Sequence, residues 1–177
     1  MNKQHILLNA VLFQFAWFSA ALVSWLLSSL FVIAGLIQLS VVYRSGVAKQ
    51  ALLVTGAILL GIAMDSSFHH LGIYTFLNNP AHVLGFPFWL LCMWFAFATS
   101  LCLSLAWLFA KPVIFIVAAA IMGPVSYLAG RELDLLMFVN SDIPWMIAAW
   151  GSWAALTQGF AHLIGQSSES DSIQDSV

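Results

Sequence analysis

The stretch GIAMDSSFHHLGIY, residues 61–74, closes a long apolar run with one acid, two serines and two histidines. Asp65 and His69 stand four apart, which on a helix puts a carboxylate and an imidazole on one face. Those are the groups of general acid–base chemistry and proton transfer, and they are the candidate catalytic pair. An ionisable side chain inside an apolar span costs a few kcal/mol to insert and usually faces a bundle interior or a water-filled cavity. The same pair can serve as a structural ion pair that fixes the helix. His70, Tyr127, Arg131, Glu132 and Asp134 are expected at the same level and are the candidate ligand-binding set, with His82 nearby. Arg131, Glu132 and Asp134 equally suit a solvated rim whose side chains snorkel to water, and His70, His82 and Tyr127 suit interfacial positions. No CxxC or HExxH spacing offers a metal site, and nothing specifies a cofactor.

The elements that must hold these residues follow from composition. The chain is 62% hydrophobic and 7% charged with a mean hydropathy of +0.98, far from the roughly half-apolar, quarter-charged balance of soluble domains. It reads as an all-α, polytopic transmembrane bundle. Apolar runs of about 20 residues, enough to cross a bilayer, lie at about 51–71, 84–109, 112–130 and 143–164. The run at 6–43 would reach about 57 Å as one helix at ~1.5 Å per residue, so it must fold back, and Ser24-Trp25 is the expected turn. The total is about six spans over residues 1–165. Reading the first run as a cleaved signal peptide is disfavoured by Asn9 and Gln14 within it.

Six spans with a cytoplasmic amino terminus leave Lys3, Arg44, Lys49 and Lys111 inside and Arg131 outside, in the sense of the positive-inside rule. Both termini are then cytoplasmic. Residues 166–177, QSSESDSIQDSV, read as a disordered acidic tail. Asp65, about 21 Å from the inner end of its span at ~1.5 Å per residue, belongs in the outer third. Pro124 after Gly123 is expected to bend the fifth span. Small residues recur at a spacing of four in Cys92, Ala96, Ser100 and Ser104, and in Gly151, Ala155 and Gly159, which predicts a seam between the fourth and sixth spans. A third stripe, Ala57, Gly61, Asp65 and His69, ends in the acid and the imidazole. Asn9, Gln14, Gln38, Gln158 and His162 form a second polar set suited to bonding between helices.

Five Lys plus Arg against seven Asp plus Glu leave no basic surface for nucleic acid. Cys92 and Cys102, about 15 Å apart along one helix at ~1.5 Å per residue, cannot bridge each other. Membrane lipids are the expected partners, and a second membrane protein or a homo-oligomer remains open.

The segments NAVLFQFAWF, the aspartate at 65, PFWLLCMWFAFATSLCLSLAWL and GPVSYLAG together resemble the bacterial inner-membrane family named domain of unknown function 2878, from about Asn9 to the end of the sixth span. The resemblance implies a small multi-pass protein without a soluble catalytic domain. It assigns no catalytic residue, and the family's association with genes for modified fatty-acid synthesis and oxidative-stress responses points toward lipid chemistry. Three classes follow. One is a lipid- or isoprenoid-handling protein whose aromatics Phe13, Trp17, Trp94 and Trp150 receive a chain near Asp65. The others are a small proton-coupled transporter and a non-catalytic accessory subunit.

Overall fold

The computed structural model describes residues 2–44, 46–77, 82–83 and 86–174, with the side chains of 82, 83 and 166–174 outside that description. The chain is all-α: α1 Lys3–Leu22, α2 Trp25–Val42, α3 Val47–His70, α4 Phe88–Cys102, the short α5 Ala106–Phe109, α6 Pro112–Glu132 and α7 Ile143–Gln174. Among the described residues α1, α2, α3 and α6 are long and apolar enough to cross a membrane, and α4 is a shorter apolar helix. The backbone of α7 is helical through Gln174, and residues 175–177 of the expected tail lie outside the described residues.

The first run folds back where its weak polar point stands. Val23 ends α1 and Ser24, in extended conformation, caps α2 by accepting from the Leu27 amide at 3.2 Å, the usual use of serine at a helix start. The hairpin is pinned by Ser28 Oγ donating to the Ala16 carbonyl at 2.8 Å and by Gln38 Nε2 donating to the His5 carbonyl at 2.8 Å.

The run at 84–109, the expected fourth span, does not form one helix. It breaks at residues 103–105, between α4 and α5, while α6 continues through Pro124. No glycine or proline marks the break. Other helices satisfy it: Asn9 Oδ1 accepts from the Ser104 amide at 3.2 Å and its hydroxyl at 2.6 Å, and Tyr43 OH donates to the Cys102 carbonyl at 2.7 Å. Asn9 and Ser104 are both buried, so the orphaned backbone groups of a broken helix are met inside the protein, as an apolar medium demands.

α4 is central, packed on α1, α2 and α3, while α7 packs on α3 and α6. The small-residue stripe of α4 therefore serves a different seam from the expected one: Cys92 and Ala96 pack with Ala16 of α1 and Val32 of α2. On α7, Gly151 faces Ala120 of α6. The bulky tryptophans of α4 and α7 explain the difference, since Trp94 stacks on Trp150 with centroids 5.4 Å apart and planes 15° apart, filling the space between those helices.

Two helix ends repeat one design. After α3, the Gly72 amide donates to the His69 carbonyl and the Ile73 amide to the Phe68 carbonyl, with Gly72 at φ 71°. After α6, Asp134 at φ 54° donates to the Arg131 carbonyl and Leu135 to the Gly130 carbonyl. Both are Schellman caps with a left-handed residue at the reversal. Each leads into a two-residue strand, β1 Thr75–Phe76 and β4 Leu136–Met137, and these pair antiparallel. A second short ladder joins β2 His82–Val83 to β3 Phe86–Pro87. The β1–β4 ladder ties the ends of α3 and α6 together over Asp65.

Candidate functional site

Asp65 is 0% exposed. The stripe Ala57, Gly61, Asp65 faces inward, and its glycine explains how a tryptophan reaches the acid: a Cβ on Gly61 would stand 2.5 Å from the Trp94 ring. Trp94 Nε1 donates to Asp65 Oδ2 at 2.7 Å. Tyr74 OH donates to Oδ1 at 2.7 Å, and Tyr127 OH donates to the same oxygen. One carboxylate thus gathers three donors from α4, α6 and the loop after α3. No cation among the described residues pairs with it; its burial is offset by hydrogen bonds alone.

Each donor has a local cause. The cap at Gly72 turns the chain back, so Tyr74 returns beneath the end of its own helix and is 1% exposed. Burial, then the adjacent carboxylate, push its phenol well above the ordinary range, so it remains a donor. Tyr127 is four residues past Gly123, whose missing side chain admits the Trp150 ring against α6, and its ring lies 5.4 Å from that of Tyr74. Trp94 packs against Trp150 and Trp153, which also touch each other, so the three rings form one mutually contacting cluster, and Trp153 Nε1 donates to the Ala57 carbonyl at 3.1 Å.

The other expected site residues lie apart from this cluster. His69 shares the inward stripe, yet no hydrogen bond joins it to Asp65: its Nδ1 lies 3.3 Å from the Tyr74 carbonyl and its ring stacks on Phe76. The phenol of Tyr74 occupies the place expected for the imidazole. His70 is exposed beside His69. Arg131 Nη1 donates to Asn140 Oδ1 at 2.8 Å, its guanidinium lies over Phe138, and an ion pair at 3.7 Å joins it to the exposed Glu132. Asp134 is exposed and occupies the left-handed position of the α6 cap. The His82 side chain lies outside the described residues. Of the expected ligand-binding set, Tyr127 alone reaches the acid.

Beside the cluster opens a cavity of about 460 Å³, within the range of small-molecule sites. Phe13 and Trp17 of α1, Trp94 and Phe97 of α4, Tyr127 of α6 and Trp150 of α7 are among the residues of its wall. At its edge stand Phe18, 51% exposed, and Met122, 61% exposed, so the mouth lies between apolar flanks of α1 and α6. Tyr127 and Trp94 belong to both features: each has its polar atom on Asp65 and part of its ring in the cavity wall.

Trp94 and Tyr74 were not singled out by sequence as ligands of Asp65. For Tyr74 a signal existed, because glycine just past a helix end implies a reversal that returns the next residues to the helix. For Trp94 none did; it is one of eight tryptophans.

Among the described residues no three of His, Cys, Asp and Glu converge to hold a metal ion. What the geometry defines is a helical membrane protein with a buried, hydrogen-bonded carboxylate beside an apolar cavity. The chain belongs to the family described as protein of unknown function DUF2878, whose sequence profile matches residues 6–158. No curated protein and no solved structure matches it.

Proposed function

We propose that the protein handles lipid or isoprenoid chains in the bacterial inner membrane, admitting a chain through the mouth between α1 and α6 and holding it against the Asp65 cluster. The observation that carries this reading is the shared use of Tyr127 and Trp94: the residues that bind the carboxylate also form the wall of the apolar cavity. In this reading the chain crosses the membrane six times with both termini in the cytoplasm. That orientation gathers Lys3, Arg44, Lys49 and Lys111 on the cytoplasmic side.

One feature favours transport. Broken helices offer backbone groups to ions in many transporters, and the expected fourth span is broken between α4 and α5. Here, however, Asn9 and Tyr43 take up backbone groups at the break, which supports a structural use of it.

The deciding experiment compares total-lipid mass spectra from a deletion strain carrying wild type, Asp65→Asn or Tyr127→Phe, with membrane abundance measured alongside. Lipid handling predicts species that change on deletion, return with wild type and fail to return with either variant at matched abundance. Identical spectra from deletion and wild type, under oxidative stress as well, would overturn it.

A further inference from the structure

Of the four amides expected to bond between helices, three do so. Asn9 accepts from Ser104, Gln38 Nε2 donates to the His5 carbonyl, and Gln158 Nε2 donates to the Phe109 carbonyl at 2.7 Å. Gln14 is the exception. It has no hydrogen bond to any described residue, and it stands exposed in the wall of the cavity.

Its depth makes that position costly. Gln14 is the twelfth of the twenty residues of α1, about 17 Å from the first at ~1.5 Å per residue, near the middle of a hydrocarbon core roughly 30 Å thick. Phe18, at the mouth, follows four residues later on the same helical face. A primary amide carries two N–H donors and an acceptor oxygen, and hydrocarbon satisfies none of them.

The other polar groups of the wall are mostly committed. Tyr127 and Trp94 donate to Asp65, and Ser126 Oγ donates to the Gly123 carbonyl at 2.6 Å. The Trp89 indole nitrogen has no reachable surface. The indole N–H groups of Trp17 and Trp150 meet no acceptor among the described residues, but they can only donate. Gln14 is the lining side chain that presents a donor and an acceptor side by side.

No Lys, Arg, His, Asp or Glu is among the lining residues, so a charged headgroup would find no counter-charge in a poorly screened interior. A lipid end that satisfies both sides of the amide must donate as well as accept, and must do so without charge. Amines and phosphates fail on charge, and esters and ethers fail on donation. A hydroxyl meets both conditions.

We infer that Gln14 binds the hydroxyl of an uncharged long-chain lipid alcohol whose hydrocarbon chain occupies the cavity. This rests on the lipid-handling reading and names the ligand class of that site.

The test uses the full chain in phosphatidylcholine nanodiscs with three photoreactive diazirine probes built on one hexadecyl chain, ending in a hydroxyl, a methyl ether or a plain methyl group. The alcohol should label peptides of α1, α4 and α6 several-fold more than the ether. Gln14→Leu, which keeps the size and removes the amide, should bring the alcohol down to the level of the ether while the alkane labels as before, and its melting temperature should hold or rise. Ala118→Phe, which fills the half-buried wall of the cavity, should abolish labelling by all three. Equal labelling by alcohol and ether, or alcohol labelling unchanged in Gln14→Leu, would overturn the assignment while leaving chain binding intact. A lowered melting temperature of Gln14→Leu would overturn it by showing the amide to be a structural bond, and disulfide dimers of Gln14→Cys in native membranes would overturn it by placing the amide against a second copy. If no probe labels these helices, or Ala118→Phe changes nothing in a protein of unaltered melting temperature, the lipid-handling reading fails as well.

Discussion

Replacing Asp65 by asparagine separates charge from geometry. The carboxylate accepts from Tyr74 and Tyr127 on Oδ1 and from Trp94 on Oδ2. An asparagine has one acceptor oxygen and one donor nitrogen. Oriented to keep both phenols on its oxygen, it turns an NH₂ toward the Trp94 indole N–H, and two donors face each other in a buried site. Flipped, it keeps Trp94 and offends both tyrosines, so the first orientation wins. The loss is one hydrogen bond plus an unsatisfied indole, about 1–3 kcal/mol, which for a chain of this size lowers the melting temperature by roughly 2–12 °C at about 2–4 °C per kcal/mol. Trp94→Phe alone strands Oδ2 and should cost a similar amount. In the double variant the indole N–H no longer faces the new NH₂ and no Oδ2 is stranded, so the two losses should not add: it should be more stable than the sum of the singles by about 1–3 kcal/mol, the coupling of a contacting pair. The assay is thermal unfolding of all four proteins in one detergent. Additive losses, or an Asp65→Asn protein that melts with wild type, would refute the three-donor description of the site.

Asn9→Ala leaves the buried amide and hydroxyl of Ser104 without the oxygen they share, so a stability loss of about 1–3 kcal/mol is expected in the same unfolding assay, and a loss within error would mean the break is held by something else. At the α6 cap the backbone of Asp134 lies at φ 54°; Asp134→Gly should hold or raise stability, whereas a β-branched Asp134→Val should lose about 1–2 kcal/mol. Cysteines introduced at Ser45 and Ser168 should react with an impermeant thiol reagent only after the inner membrane is opened, and one at Asn79 should react before it; the swapped pattern would reverse the proposed orientation.

Much of the architecture is written locally. A run twice the bilayer thickness must turn, and Ser24 takes the turn because its side chain caps the second helix as well as ending the first. An acid on a stripe of small residues must face inward, and Asp65 does. The pairing with Tyr127 across the bundle follows from both residues lying near the same end of their helices. These inferences need only helix geometry and the cost of polar groups in hydrocarbon.

What escaped the sequence is decided between distant segments. The break after Cys102 carries no glycine or proline, and it depends on Asn9 and Tyr43, which arrive from α1 and from the end of α2. The small-residue stripe of α4 looked suited to α7, yet tryptophans on both helices fill that space and leave the stripe to the α1–α2 hairpin. The Asp65–His69 spacing looked like a pair, and the residue that separates them is Tyr74, returned by the cap at Gly72 so that its phenol takes the carboxylate and its carbonyl meets the imidazole. A histidine four residues from an acid is a local coincidence that a single backbone reversal can divide. The same reversal builds the cluster: because the matching cap on α6 leads into β4, and β4 pairs with β1, the two helix ends fix Tyr74 and Tyr127 against one oxygen. The carboxylate is held from three directions by parts of the chain that no periodicity relates, and through Tyr127 and Trp94 that arrangement sets the polar side of an otherwise apolar cavity.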